Sequence, residues 1–233
     1  MVDLIRIFFA PGEVFASIPE KPRWYFPFAS SLLLSCLASA LIINSIGMET
    51  LVRRQLQSQP QLVERLGEEK IDEIVEQSNS PARQISAYIG SILSSGLVIL
   101  GVALILTVLL ALTGTRTGFK SVFSVTAYSY FAYYSLLFFL SAITLLAINE
   151  KENIDPGNLL LSHAGAFFDR ATTNRALFSI ARSLDLFSLG LVSFLALGLS
   201  KISARVTFTR SLAIVGGVWG VYVAIKAGFS SLF

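Results

Sequence analysis

Three charged residues late in the chain, Arg182, Asp185 and Lys226, have the types and spacing for chemistry inside an apolar setting. Asp185 stands near the start of one long apolar segment and Lys226 near the end of the next. Both are equally far from the centre of the basic loop Lys201 to Arg210 that joins the segments, so an antiparallel hairpin puts them at equal depth. A lone charge at mid-bilayer costs about 2.5–3.5 kcal/mol on insertion scales, less near the interface, and a partner offsets much of that. The chemistry on offer is an ion pair, serving as structural glue or as one step of an ion path. Two readings compete with it: Arg182, at i−3, as the partner of Asp185, and separate snorkelling of each head to the interface.

The other reactive residue types are sparse. His163 is the single histidine, with Asp169 nearby and no second imidazole, so a loop or interfacial residue is expected rather than a metal ligand. Cys36 is the only cysteine and sits inside an apolar run, where it reads as a small apolar side chain. No HExxH, GxSxG, Walker or CxxC pattern occurs. GTRTGFK, residues 114 to 120, lacks the phosphate-loop spacing and reads as a basic turn near anionic headgroups. No catalytic, cofactor-binding or metal residue is expected, and the chain is read as a non-enzyme.

The elements that must position these residues follow from composition. Of 233 residues 54% are hydrophobic and 14% charged, and mean hydropathy is +0.68. Soluble domains carry about 25% charged residues, so much of this surface faces something other than water. The net charge of +3 is too small to argue for nucleic acid. Crossing a bilayer takes about 20 mostly apolar residues, and five segments qualify: 24–46, 85–112, 119–148, 181–200 and 208–231. Their apolarity is continuous rather than alternating, which favours helices over barrel strands. The expected fold is an all-α integral membrane protein, residues 1–233 forming one bundle of five transmembrane helices. The Lys and Arg totals on the two sides are equal. The short acid-free loops around Arg116 and Lys120, and around Lys201, Arg205 and Arg210, therefore set the orientation, with the N-terminus cytoplasmic and the C-terminus outside. No cleavable signal peptide is expected.

Outside the spans two amphipathic pieces are expected. In the N-terminal tail Pro11 suits a first helical turn, Val14, Phe15 and Ile18 share a face, and Lys21, Arg23 and Trp24 follow. That combination predicts a short helix in the headgroup plane, anchored by Pro11, Phe15, Lys21, Arg23 and Trp24 and ended by Pro19 and Pro22. In the loop 47–84, Leu62, Val63, Leu66, Ile71, Ile74 and Val75 follow helical spacing between acidic residues, predicting an amphipathic helix on the outer side. Gly216, Gly220, Ala224 and Gly228 place a small residue at every fourth position of the last span. Such a stripe lets helix backbones approach closely, within the monomer by default or across a homodimer.

The stretches APGEVFASIPEKPRWYFP (10–27), TGFKSVFSVTAYSY (117–130), SLDLFSLGLVSFLALGLS (183–200) and GGVWGVYVAIKAG (216–228), in that order, resemble the Yip (Ypt-interacting protein) family, in its bacterial five-span branch. The chain departs from that branch in lacking a Trp near Gly190 and a proline in the third span. The resemblance implies a five-span, non-enzymatic protein of a bacterial inner membrane, tied to membrane organisation or partner binding, with lipids and another membrane protein or itself as partners. Eukaryotic members engage small GTPases through a long cytosolic tail. Here the tail is short, so that partnership is not carried over. The alternative is a transporter or channel subunit, which predicts paired polar residues or broken helices at mid-bilayer. An intramembrane enzyme ranks third.

Overall fold

A computed structural model of the chain describes residues 2–57, 60–115, 117–148, 158–169 and 172–232; Arg116 and the first part of the loop after the third expected span lie outside them. The described residues form α-helices and short turns, with no strand. Val2–Phe9 (α1) and Pro11–Ser17 (α2) form an N-terminal pair. Tyr25–Ile46 (α3) is followed by Met48–Gln57 (α4), Pro60–Leu66 (α5), Glu68–Ser78 (α6), Pro81–Leu112 (α7) and Phe119–Ala147 (α8). A 3-10 turn, Ala164–Phe167, then leads to Arg175–Ser183 (α9), Leu186–Ile202 (α10) and Phe208–Leu232 (α11).

Four of these helices, α3, α7, α8 and α11, are long and apolar enough to cross a membrane. Their outward faces are apolar too, through Leu93, Leu97 and Val108 on α7 and Val221, Ile225 and Phe229 on α11. The centre of the bundle is the first half of α8. Every residue from Val122 to Tyr130 is buried, with α3, α7 and α10 packed along the helix and α1 touching it. In hydrocarbon, apolar burial by itself drives little association, so shape fit carries the packing. Gly198 of α10 shows this. A methyl group there would lie 2.3 Å from a Val125 methyl of α8 and 3.2 Å from the Phe15 ring.

Three expectations change. The fourth apolar segment is not one helix over 181–200. It breaks at Leu184 and Asp185 into α9 and α10, and α10 alone has 17 residues, about 25 Å of helical rise. The acidic loop does not hold one amphipathic helix. Gly67, at φ 77°, ends α5 and starts α6, and α4 precedes both. A positive φ suits glycine alone here, because a Cβ would clash with its own backbone. Ile71 and Val75 face inward from α6, as the spacing requires.

The third change concerns the N-terminus. Pro11 does open a helix, α2, but the apolar face of that helix is not laid on headgroups. Val14, Phe15 and Ile18 are buried within the protein, Phe15 completely, in one cluster with Val125, Leu195 and Leu199. Phe15 is therefore a core residue rather than an interfacial anchor. The apolar side chains that this end leaves exposed belong to α1, where Val2, Ile5 and Phe9 share a face.

Candidate functional site

The break between α9 and α10 has a local cause. Asp185 is the N-cap of α10. One carboxylate oxygen accepts hydrogen bonds from the Phe187 amide at 3.0 Å and the Ser162 hydroxyl at 2.9 Å. The other accepts from the Ser188 amide at 2.9 Å and the Ser188 hydroxyl at 2.5 Å. A side-chain acceptor on the first free amides of a helix is what an N-cap supplies. The peptide groups freed by the break are also satisfied. The Ala164 amide donates to the Leu184 carbonyl at 2.9 Å, and the Leu186 amide to the Ser162 carbonyl at 3.1 Å. Interrupted helices are tolerated in membrane proteins on that condition.

Lys226 lies opposite α9 rather than against the Asp185 carboxylate. Its ammonium donates to the Ser183 hydroxyl at 3.1 Å, and Ser183 in turn donates to the Ser179 carbonyl at 2.8 Å. One turn on, the Ser230 and Ser179 hydroxyls lie 3.2 Å apart. The antiparallel register read from the loop centre thus brings Asp185 and Lys226 to one place. Ion pairs among the described residues include Arg6 with Glu13, Arg23 with Asp3 at 3.8 Å, and Arg53 with Asp72 at 2.9 Å. Asp185, Arg182 and Lys226 join none of them. Hydroxyls and amides, not an opposite charge, hold both members of the expected pair.

All three charged residues line one cavity of about 430 Å³. Ser162 and His163 complete its polar side. The α3–α8 side carries Leu34, Ile42, Leu137 and Phe138, with the hydroxyls of Ser35, Ser39, Tyr134 and Ser141 between them. His163 is buried, with Nε2 3.1 Å from the Asn158 side-chain oxygen and Nδ1 without a hydrogen-bond partner. The backbone of Arg182 passes so close to Gly165 that a methyl group there would sit 3.2 Å from it.

A second, smaller cavity of about 230 Å³ lies at the N-terminal end. It is lined by Asp3, Arg6, Glu13, Lys21, Arg23 and Tyr128, so Lys21 and Arg23 of the expected anchors face it. Trp24 is exposed on one side and rests its ring 5.3 Å from that of Phe123. The small-residue stripe on α11 is not used up inside the protein. A methyl group added at Gly216, Gly220 or Gly228 would meet nothing within 4 Å.

Sequence reasoning passed over Ser162, Ser183 and Ser188, which bind the two charges. Part of that was legible. Asp185 followed by Ser188 is an N-cap spacing, and it marks a helix start inside what reads as a continuous apolar run.

A family model for the Yip1 domain matches residues 5–229. Comparison with curated proteins and with solved structures finds no match. The match covers nearly the whole chain, which therefore belongs to the Yip1 family: an all-helical membrane protein with several apolar helices.

Proposed function

We propose that this member of the Yip1 family is a non-enzymatic scaffold of a bacterial inner membrane, organising the bilayer or binding another membrane protein. It crosses the membrane five times, with α9 and α10 together as the fourth passage, the N-terminus in the cytoplasm and the C-terminus outside. The observation that carries the reading is the open stripe on α11. Gly216, Gly220 and Gly228 have free space beside them, and Ala224, between them, is exposed. Val221, Ile225 and Phe229 add exposed apolar side chains to the same helix. A small-residue groove beside large apolar neighbours lets a second helix approach closely in lipid.

Cross-linking in native membranes tests this. With Cys36→Ser to remove the native thiol, Ala224→Cys is expected to give an oxidised adduct, to itself or to another membrane protein. Adding Gly220→Ile should abolish it. An adduct insensitive to Gly220→Ile, or none at all, removes the basis for the reading.

One observation favours the transport alternative: the broken helix at Asp185 beside a cavity carrying two cations. Ion flux in proteoliposomes, lost in Asp185→Asn at normal protein level, selects that reading over a scaffold.

A further inference from the structure

We propose that the cavity beside the α9–α10 break binds an anionic amphiphile. Its phosphate or carboxylate head sits at Arg182 and Lys226, and its acyl chain lies along the α3–α8 wall. The first ground is charge. Both oxygens of Asp185 are taken up by the cap and by Ser162 and Ser188. The Arg182 side chain has no hydrogen bond or ion pair among the described residues, and the Lys226 ammonium has a single serine hydroxyl. Arg182 and Lys226 line the same cavity. Two cations held together on an apolar-walled cavity, against one carboxylate already engaged, leave an anion as the missing component. A guanidinium offers a fork of donors that fits carboxylate or phosphate oxygens.

The second ground is shape and lining. A volume of about 430 Å³ lies within the range of roughly 300–1,000 Å³ common for ligand sites. The charged groups and His163 stand on one side, while Leu34, Ile42, Leu137 and Phe138 stand on the α3–α8 side, with Ser35, Ser39, Tyr134 and Ser141 among them. A free inorganic anion would use only the first side. An acyl chain uses both. The third ground is the buried His163 ring at the polar side, whose Nδ1 has no partner.

Native mass spectrometry of the full chain purified in mild detergent tests the proposal. The probes are phosphatidylglycerol, phosphatidylcholine and inorganic phosphate, each added separately, with melting temperature measured alongside. Phosphatidylglycerol should be retained and should raise the melting temperature, while phosphatidylcholine and phosphate should do neither. The double variant Arg182→Gln, Lys226→Met should lower phosphatidylglycerol retention by about tenfold or more, the loss expected for removing charge-assisted hydrogen bonds. Equal retention of phosphatidylcholine overturns the anionic head, and an equal thermal shift with inorganic phosphate overturns the acyl chain. Undiminished retention in the double variant overturns the site. If that variant does not fold, Ile42→Trp decides instead, because it fills the apolar side and leaves the charges alone. Loss of phosphatidylglycerol retention in it supports the site, and unchanged retention overturns it.

Discussion

The two ends of the bundle handle the same ingredients, aromatic bulk and charge, in opposite ways. At the N-terminal end Phe15 is completely buried, in one cluster with Val125 where Gly198 leaves room. The charges there are matched, Arg6 with Glu13 and Arg23 with Asp3. At the Asp185 end the helices stand apart around a cavity, and Arg182 and Lys226 face it with no carboxylate in contact. One end has only the smaller cavity and is self-sufficient in charge. The other is open and has a surplus of positive charge. The smaller cavity thus goes with matched charges, and the larger one with unmatched charges. A site for something else is expected at the second end.

The largest test of that contrast is Phe15→Ala. Truncating a fully buried aromatic costs about 3–5 kcal/mol, and unfolding in detergent should show a loss of that order. Phe9→Ala, at an 84% exposed position, should barely move the curve. Equal effects would mean that the N-terminal end is not tightly seated. Next comes a pair of identical changes. Gly198→Ala forces a methyl group into Val125 and should destabilise by about 1–3 kcal/mol through overpacking. Gly220→Ala meets open space and should stabilise by about 0.5–1 kcal/mol through helix propensity. The sign reversal, read from paired melting curves, is the sharpest form of the comparison.

A smaller effect is expected at the break. Asp185→Ala removes an N-cap, worth about 0.5–2 kcal/mol, and should speed amide exchange at Phe187 and Ser188. Asp185→Asn keeps an acceptor and should cost less. The smallest effect concerns surface charge. Arg6→Gln should lose, through its exposed pair with Glu13, no more than about 0.2–1 kcal/mol. Arg182→Gln, which removes an unpaired charge from the cavity it shares with Lys226, should raise the melting temperature of lipid-free protein slightly. If Arg182→Gln destabilises as Arg6→Gln does, the charge half of the contrast fails.

The limits of the apolar segments were legible because hydrocarbon thickness dictates length. Tyr25–Ile46, Phe119–Ala147 and Phe208–Leu232 begin and end within about a residue of expectation. What those segments pack against was not legible. In water an apolar stripe points to the core, but in lipid both surroundings are apolar and the stripe loses its meaning. For that reason Val14, Phe15 and Ile18 could be recognised as one face and still be assigned to the bilayer. Their partner Gly198 lies far along the chain and resembles any other glycine of an apolar run. For Asp185 and Lys226 the register was readable from the loop between them. Their hydrogen-bond partners were not, because serines in apolar helices more often turn back on their own backbone, as Ser193 does on the Leu189 carbonyl.

The seat of Phe15 also imposes an order on biogenesis. Its contacts come from α8 and α10, and a ribosome releases α10 only when most of the polypeptide has been made. Phe15 therefore leaves the exit tunnel long before its partners on α10 and settles only after they emerge, and until then its ring needs lipid or an insertion factor to cover it.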